Sequence, residues 1–159
     1  MRLLLAVVIF ALPASSLAQS ASDAPFATAQ GGFFALSVRD LAASVAWYTE
    51  KLGLRSVMTV PRTGKIAGVA ALEGNGLLVE LLQHDDAVAR NGASPELTRG
   101  IAKAGVIVTD FDRAVAALRA RGVEITSGPY PPRPAMRANL MFRDNEGNTI
   151  QVLGPYAPR

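Results

Sequence analysis

The amino-acid sequence predicts an α+β fold that is built from two copies of one βαβββ module. One observation is the size and composition: 159 residues, half of them hydrophobic and 18% charged, suit a single globular domain with its own core. The other is an internal repeat, because Val38 and Asp40 recur as Val108 and Asp110, each 70 positions later. Each copy reads as a strand, a helix, a glycine-marked exit and three further strands.

The first 31 residues are predicted to lie outside this domain. Arg2, an apolar run over residues 3–12 and the small-x-small pattern Ser16-Leu17-Ala18 are typical of a secretory signal peptide over residues 1–18. The apolar run is shorter than the roughly 20 residues that span a bilayer. Residues 19–31 are small and polar, as in a flexible lead-in. We therefore expect export to the periplasm or the medium, with no membrane attachment after cleavage, and a single domain over residues 32–156.

The first module is predicted over about residues 32–84. A strand begins at Phe33, and a helix follows Asp40, whose short carboxylate suits an N-cap. Trp47 and Tyr48 fall within the helical pattern, where packing is their expected role. Gly53 marks the helix end, since glycine takes a positive φ there without steric cost. Three strands follow, over residues 54–60, 66–72 and 77–83.

The second module is predicted over about residues 100–154, after a polar linker at 85–99. Asp110 takes the N-cap position, and Gly122 marks the helix end. Strands are predicted over residues 123–126, 138–143 and 149–153, and the last two are joined by the turn Asp144-Asn145-Glu146-Gly147-Asn148. Residues 127–134 are rich in Gly and Pro and predict a surface loop.

Charge and cysteine content exclude several classes of function. Lys and Arg total 16 against 13 Asp and Glu, and no basic run marks a nucleic-acid surface. The absence of cysteine excludes disulfides, thiol catalysis and thiolate-bound metals. There is no G-x-S-x-G motif and no phosphate-binding glycine loop.

The motifs of the two modules resemble those of the vicinal oxygen chelate superfamily, the glyoxalase/bleomycin resistance protein/dioxygenase type. The matching stretches are Val38-Arg39-Asp40-Leu41, Ser44-Val45-Ala46-Trp47-Tyr48, Leu52-Gly53-Leu54 and Asp144-Asn145-Glu146-Gly147-Asn148. The resemblance covers about residues 32–154. It implies that the two modules form a curved mixed sheet around a cleft, and that two chains pair as a homodimer.

The resemblance also implies where a metal would bind, with two ligands from each module. Those positions carry Phe33 and Glu80 in the first module and Lys103 and Gln151 in the second. Glu80 is the only retained ligand position, and two oxygen donors are too few for a catalytic Zn²⁺, Ni²⁺ or Fe²⁺ site. We therefore predict no metal and no other cofactor. The single histidine, His84, lies on the face of Glu80 but about 13 Å further along the strand.

Phe33, Glu80, Lys103, Gln151 and His84 are thus the candidate residues of a ligand-binding cleft. Three roles remain open for the charged pair: Lys103 and Glu80 form an ion pair in place of the metal, they join Gln151 in recognising a ligand, or Glu80 acts as a general base. Arg133 and Arg137 are expected at the cleft mouth or as solvated loop charges.

The functions that follow are of two classes. The first is an exported protein that binds a small molecule in a metal-free cleft. The alternative is a lyase or dioxygenase-like enzyme whose altered metal site, or metal-independent site, is centred on Glu80.

Overall fold

The computed structural model describes residues 31–74, 76–89 and 100–158. The predicted signal peptide, most of the lead-in and residues 90–99 of the predicted linker lie outside these ranges. The described elements run in the order β1 (Phe33–Ser37), α1 (Leu41–Leu52), β2 (Arg55–Val60), β3 (Ile66–Gly74), β4 (Leu77–His84), β5 (Ala104–Ile107), α2 (Phe111–Ala120), β6 (Ile125–Tyr130), β7 (Asn139–Arg143) and β8 (Thr149–Leu153). The predicted α+β class and the duplicated βαβββ order are confirmed.

Each module forms its own four-stranded mixed sheet, with strand orders β1-β4-β3-β2 and β5-β8-β7-β6. The first and last strands of each module pair in parallel, and the other pairs are antiparallel. The register is equivalent in the two sheets: Ala35 pairs with Glu80, and Gly105 pairs with Gln151. The two halves of the chain are therefore structural as well as sequence repeats.

Both helices begin and end where the sequence predicts. The Asp40 carboxylate accepts a hydrogen bond from the Ala43 amide at 3.0 Å, and the Asp110 carboxylate accepts one from the Arg113 amide at 2.9 Å. Gly53 has a φ of 70° and terminates α1. In the part of the chain that the structure describes, neither helix has the length and apolar character that a membrane crossing requires.

Each helix packs on one face of its sheet. Tyr48 of α1 contacts the first core cluster, which also includes Val79 and Leu81, all three without exposed surface. The second cluster contains Phe142 and the buried side of α2. The side chains of Phe34, Trp47 and Leu52 pack against both clusters, so α1 and β1 help to join the modules. The packing roles predicted for Trp47 and Tyr48 are confirmed.

The predicted surface loop at 127–134 is wrong in its first half, because β6 continues to Tyr130. β6 is an edge strand of its sheet and its register shifts between Ser127 and Tyr130, and an edge or a bulge tolerates Pro129, which has no N–H. Gly128 has a φ of 85°, and a Cβ at this position would lie 2.8 Å from the Asn139 carbonyl oxygen. Turn-forming residues thus allow a close edge pairing here.

Candidate functional site

The face of the first sheet that lies away from α1 carries Glu80. Side chains alternate along a strand, so Val79 and Leu81 point into the helix-side core and Glu80 faces the other way. The strand register places Ala35 and Ala71 on either side of Glu80. We call this surface the open face of module 1. Glu80 is half-buried on it, whereas Phe33 is 66% exposed.

The second sheet has an equivalent open face around Gln151. Gln151 lies in register between Gly105 and Met141, opposite the side of the strand that faces the core. Gln151 is half-buried, and Lys103, two residues before Gly105, is exposed. Thr149 lies two residues before Gln151 on β8. Its hydroxyl is buried and has no hydrogen-bond partner among the described residues.

The candidate residues are distributed over both modules. Phe33 and Glu80 belong to the sheet of module 1, whereas Lys103 and Gln151 belong to module 2. Within the described ranges, no ion pair of 4.0 Å or less joins Lys103 to Glu80, so the ion pair considered above does not form in this chain. Glu80 lies on β4 of the first sheet, and Lys103 directly precedes β5 of the second.

His84 is the last residue of β4 and is half-buried. It lies four residues after Glu80, so its side chain is on the same face of the sheet. Its Nδ1 atom accepts a hydrogen bond from the Asp86 amide at 3.1 Å, which orders the turn after the strand. This contact gives His84 a local structural role at the end of the open face.

The donors at the four family positions do not fit a metal ion. They are a phenyl ring at Phe33, a carboxylate at Glu80, an ammonium at Lys103 and an amide at Gln151, so only two of the four offer an oxygen donor. Across the described residues, no three His, Asp or Glu side chains gather as a metal site would require. We therefore derive no chemical step through a metal.

A buried hydrogen-bond network that the sequence analysis missed joins the modules. The Tyr48 hydroxyl donates to Oδ2 of Asp144 at 2.8 Å, and both residues are buried. Asp144 also accepts from the amides of Glu146 and Asn148 and from the Asn148 side chain. Burial, together with the charge and hydrogen bond of Asp144, raises the pKa of Tyr48 far above its ordinary value of 10.0. The turn motif that begins at Asp144 is visible in the sequence, but the sequence does not show that Asp144 accepts a hydrogen bond from Tyr48 on α1.

Two further contacts hold the same turn against α1 and the chain before it. The Asn145 amide group donates to the Ser44 hydroxyl at 2.9 Å, and Ser44 is fully buried. The Arg39 amide donates to the Glu146 carboxylate at 3.1 Å. The turn between β7 and β8 is thus a structural joint between the modules.

A pocket of about 220 Å³ lies where β6 and β7 are connected. We call it the arginine pocket; it is lined by Tyr130, Pro131, Arg133, Met136, Arg137 and Asn139. The Arg137 guanidinium lies 4.4 Å above the centre of the Tyr156 ring, and its Nη1 atom donates to the Gly154 carbonyl oxygen at 3.1 Å. Both arginines that the sequence analysis considered at the cleft mouth therefore line one concave site.

The fold and the open sheet faces define a protein of paired βαβββ modules. A family model described as the Glyoxalase/Bleomycin resistance protein/Dioxygenase superfamily matches residues 32–152. The chain belongs to this family, as its motifs predicted.

Solved structures show the same fold. A glyoxylase/bleomycin resistance protein/dioxygenase domain from Frankia sp. EAN1pec is 23% identical, with a TM-score of 0.64 over 79% of this chain and 90% of that one. TnmS3, an antibiotic binding protein from Streptomyces sp. CB03234, is also 23% identical, with a TM-score of 0.56 over 79% and 94% of the two chains. Lactoylglutathione lyase from Agrobacterium tumefaciens is 18% identical, with a TM-score of 0.53 over 77% and 90%.

The chain is also similar in sequence to a protein whose name does not refer to this family. Elongation factor Ts from Brucella anthropi is 29% identical over 113 residues, which are 70% of this chain. The chain matches 37% of the length of that protein, so the similarity describes a part of it.

Proposed function

We propose that this protein binds a small molecule on the open faces of its sheets and does so without a metal. The observation that carries the proposal is the equivalent placement of Glu80 and Gln151, each half-buried on the face of its sheet that lies away from the helix. A few placed polar groups on an otherwise apolar concave surface are typical of ligand sites.

The surroundings of Glu80 support an apolar ligand with a polar group. Phe33, Met58 and Val60 are large apolar side chains, and each leaves at least 40% of its surface exposed. Ala71 lies in register between Met58 and Glu80. Burying such side chains against a ligand contributes about 25 cal/mol per Å² of apolar surface. The antibiotic-binding structural neighbour has the same fold, and we carry its class of ligand to this chain only as a proposal.

A thermal-shift screen of apolar antibiotics and related small molecules, with and without EDTA, tests the proposal. We expect at least one compound to raise the melting temperature equally in both conditions. Glu80→Leu or Gln151→Leu should weaken its binding, whereas Glu50→Gln, an exposed carboxylate of α1, should not. Stoichiometric Ni, Zn, Mn or Fe in protein purified without chelators, together with binding that is lost on chelation, would overturn metal independence.

A second candidate function is catalysis with Glu80 as general base. It is favoured by the state of this carboxylate, which is half-buried and, among the described residues, has no ion-pair partner within 4.0 Å. The variant Glu80→Gln separates the two functions. If it keeps ligand affinity but loses product formation, measured by mass spectrometry on the bound compounds, the protein is an enzyme. If no compound is converted by the wild-type protein, it is a binding protein.

We further propose that two copies associate as a homodimer. Phe33 on β1 and Ile107 on β5 leave 66% and 64% of their surfaces exposed, and a second chain that covers them would bury apolar area. Light scattering should give twice the mass of a single chain. A monomer at micromolar concentration would contradict this proposal.

Export is likewise a proposal, supported by Arg2, the apolar run after it and Ser16-Leu17-Ala18. Cell fractionation followed by N-terminal sequencing of the exported protein tests it. A chain that keeps Arg2 and stays in the cytoplasm would contradict it.

A further inference from the structure

The two modules carry the same tight turn in equivalent places. After β2, Thr63 and Ile66 form an isolated bridge, and after β6, Arg133 and Met136 form one that lies 70 positions later. The backbone of the turn is therefore a repeated feature, and differences in its charged side chains are specific to each module.

In module 1 the charges of this turn are neutralised within the chain. The Arg62 guanidinium donates two hydrogen bonds to the Asp85 carboxylate, at 2.7 and 3.1 Å. Lys65 forms a second ion pair with Asp86. Both cations of the turn therefore already have an anionic partner.

In module 2 an aromatic ring stands at the position of Asp85, and the cation beside it comes from another position of the turn, because Pro132 aligns with Arg62 and Arg137 aligns with Ala67. Gly68 pairs with Gln83 in module 1, and Ala138 pairs with Gly154 in module 2 through the hydrogen bond from the Gly154 amide. Two residues further along, Tyr156 therefore occupies the position of Asp85. The Arg137 guanidinium stacks on this ring, an arrangement that orients the cation without cancelling its charge.

The lining of the arginine pocket holds positive charge without a compensating acid. No Asp or Glu lines it. Within the described part of the chain, neither Arg133 nor Arg137 forms an ion pair of 4.0 Å or less. Two guanidinium groups that line one concavity repel each other, and an anion bound beside both would offset this repulsion.

We propose that the arginine pocket binds the oxyanion group of a small organic anion, a carboxylate or phosphate attached to an apolar body. This inference rests on the proposed function and names the chemical class of its ligand. Guanidinium groups match both oxyanions through paired hydrogen bonds. The pocket of about 220 Å³ is smaller than the roughly 300–1,000 Å³ of sites that enclose a whole drug-sized ligand, so it suits an end group.

The apolar body of such a ligand could lie on the open face of module 2. Asn139 lines the pocket and lies two residues before Met141 on β7, so both side chains point to the same face of the sheet. Met141 is the register neighbour of Gln151, so this face is the open face of module 2. An apolar body that leaves the pocket would pass Tyr130 and Met136, which are 50% and 54% exposed, and extend over this face. The anion site and the proposed binding face thus form one continuous surface of module 2.

Titration calorimetry with benzoate, phenyl phosphate and inorganic phosphate tests the inference, with benzyl alcohol as the neutral probe. We expect benzoate or phenyl phosphate to bind, and Arg133→Gln and Arg137→Gln each to weaken binding about 10- to 100-fold, as loss of a charge-assisted hydrogen bond does. Benzoate and phenyl phosphate distinguish the two oxyanions, and inorganic phosphate shows whether the apolar body contributes. The matched control is Arg62→Gln, which removes the same charge from the equivalent turn and should change affinity less than twofold.

A second variant tests the pocket without removing an arginine. Tyr156→Asp places a carboxylate where module 1 has Asp85, and it should reduce anion binding at least tenfold because Arg137 gains an internal partner. Arg133 is exposed, so Arg133→Gln should fold even if changes at Arg137 do not. Equal anion affinity in Arg133→Gln, Arg137→Gln and Arg62→Gln would overturn the inference, as would benzyl alcohol binding as tightly as benzoate.

The result separates this inference from the proposed function. If no anion binds while a neutral compound binds with dependence on Glu80 or Gln151, the inference is wrong and the proposed function stands. If anions bind with dependence on Arg133 and Arg137 while binding is indifferent to Glu80 and Gln151, the pocket is supported and the proposed site is wrong.

Discussion

Tyr48 and Asp144 are the residues whose roles depend most on their surroundings. Tyr48 lies on α1 of module 1, and its hydroxyl donates across the module boundary to a buried carboxylate that accepts three further hydrogen bonds. A carboxylate that is taken out of water needs such donors to remain charged at low cost. The pair therefore fixes the position of the turn between β7 and β8 on the helix.

The variant Tyr48→Phe measures this contact. It keeps the buried ring and removes one donor from Asp144, so we expect the free energy of unfolding to fall by about 1.5–3 kcal/mol. Urea denaturation at neutral pH provides the measurement. Tyr156→Phe, at a half-exposed tyrosine that follows β8, should stay within about 0.5 kcal/mol of wild type. If Tyr48→Phe is as stable as this control, the buried hydrogen bond contributes nothing.

The same tyrosine predicts a pH dependence at the alkaline end. Because the folded state raises the pKa of Tyr48 above its unfolded value, the stabilisation is fully present below about pH 10 and is lost as the pH rises further. The difference in unfolding free energy between wild type and Tyr48→Phe should shrink by up to about 1.4 kcal/mol per pH unit above that point. A difference that stays constant between pH 9 and 11 would contradict the assignment, a range chosen to bracket a tyrosine pKa of about 10.

At the scale of the element, β6 shows how turn-forming residues can lie within a strand. Gly128 is needed for two reasons, its positive φ and the closeness of the Asn139 carbonyl oxygen. Gly64, in the turn after β2, has a φ of 58° but nothing within 4 Å of the position a Cβ would take. Both glycines have a positive φ, but only Gly128 has a close neighbour. A comparison of alanine substitutions at the two positions therefore separates the free-energy cost of the backbone conformation from that of the steric contact.

We expect Gly64→Ala to cost about 1–2 kcal/mol of unfolding free energy, the usual cost of a left-handed conformation for an L-residue. Gly128→Ala should cost at least about 1 kcal/mol more, because an overpacked contact adds to the same backbone cost. Thermal or urea denaturation of both variants checks the difference. Equal losses would show that β6 moves away from β7 without penalty.

The helix N-caps give a second prediction at this scale. Asp110→Ala should destabilise the protein by about 1 kcal/mol, since the Arg113 amide loses its acceptor. Asp110→Asn keeps an oxygen in the same place and should recover most of the loss. Urea denaturation of the two variants tests this; if asparagine is no better than alanine, the side chain of Asp110 does not cap α2.

For the whole molecule, the joined cores predict that the two modules unfold together. Trp47 is the only tryptophan of the chain, and it packs against both core clusters. Its fluorescence and far-ultraviolet circular dichroism should therefore report one coincident urea transition. Phe142→Ala, in module 2, should lower the free energy of unfolding by about 3–5 kcal/mol and shift both signals together. Two separated transitions would show that the modules are independent.

The sequence by itself determined the local structure and the family. The cap residues Asp40 and Asp110, the apolar periodicity and the glycine exits depend on neighbours along the chain, so they predicted both helices and most strand limits correctly. The family motifs were also recognisable, and they identified Glu80 and Gln151 as the positions of interest. The strand register then explained why these two residues are equivalent.

Only the tertiary structure decided which groups meet across the modules. The Tyr48–Asp144 contact spans 96 positions, and no local pattern connects its two residues. The Lys103–Glu80 ion pair was an extrapolation from shared spacing, and it does not form among the described residues. The continuation of β6 through Gly128 and Pro129 follows from its place at a sheet edge, which the sequence does not specify. Long-range pairing is set by how the sheets and helices pack, so the joint between the modules and the surroundings of Arg133 and Arg137 became visible only in three dimensions.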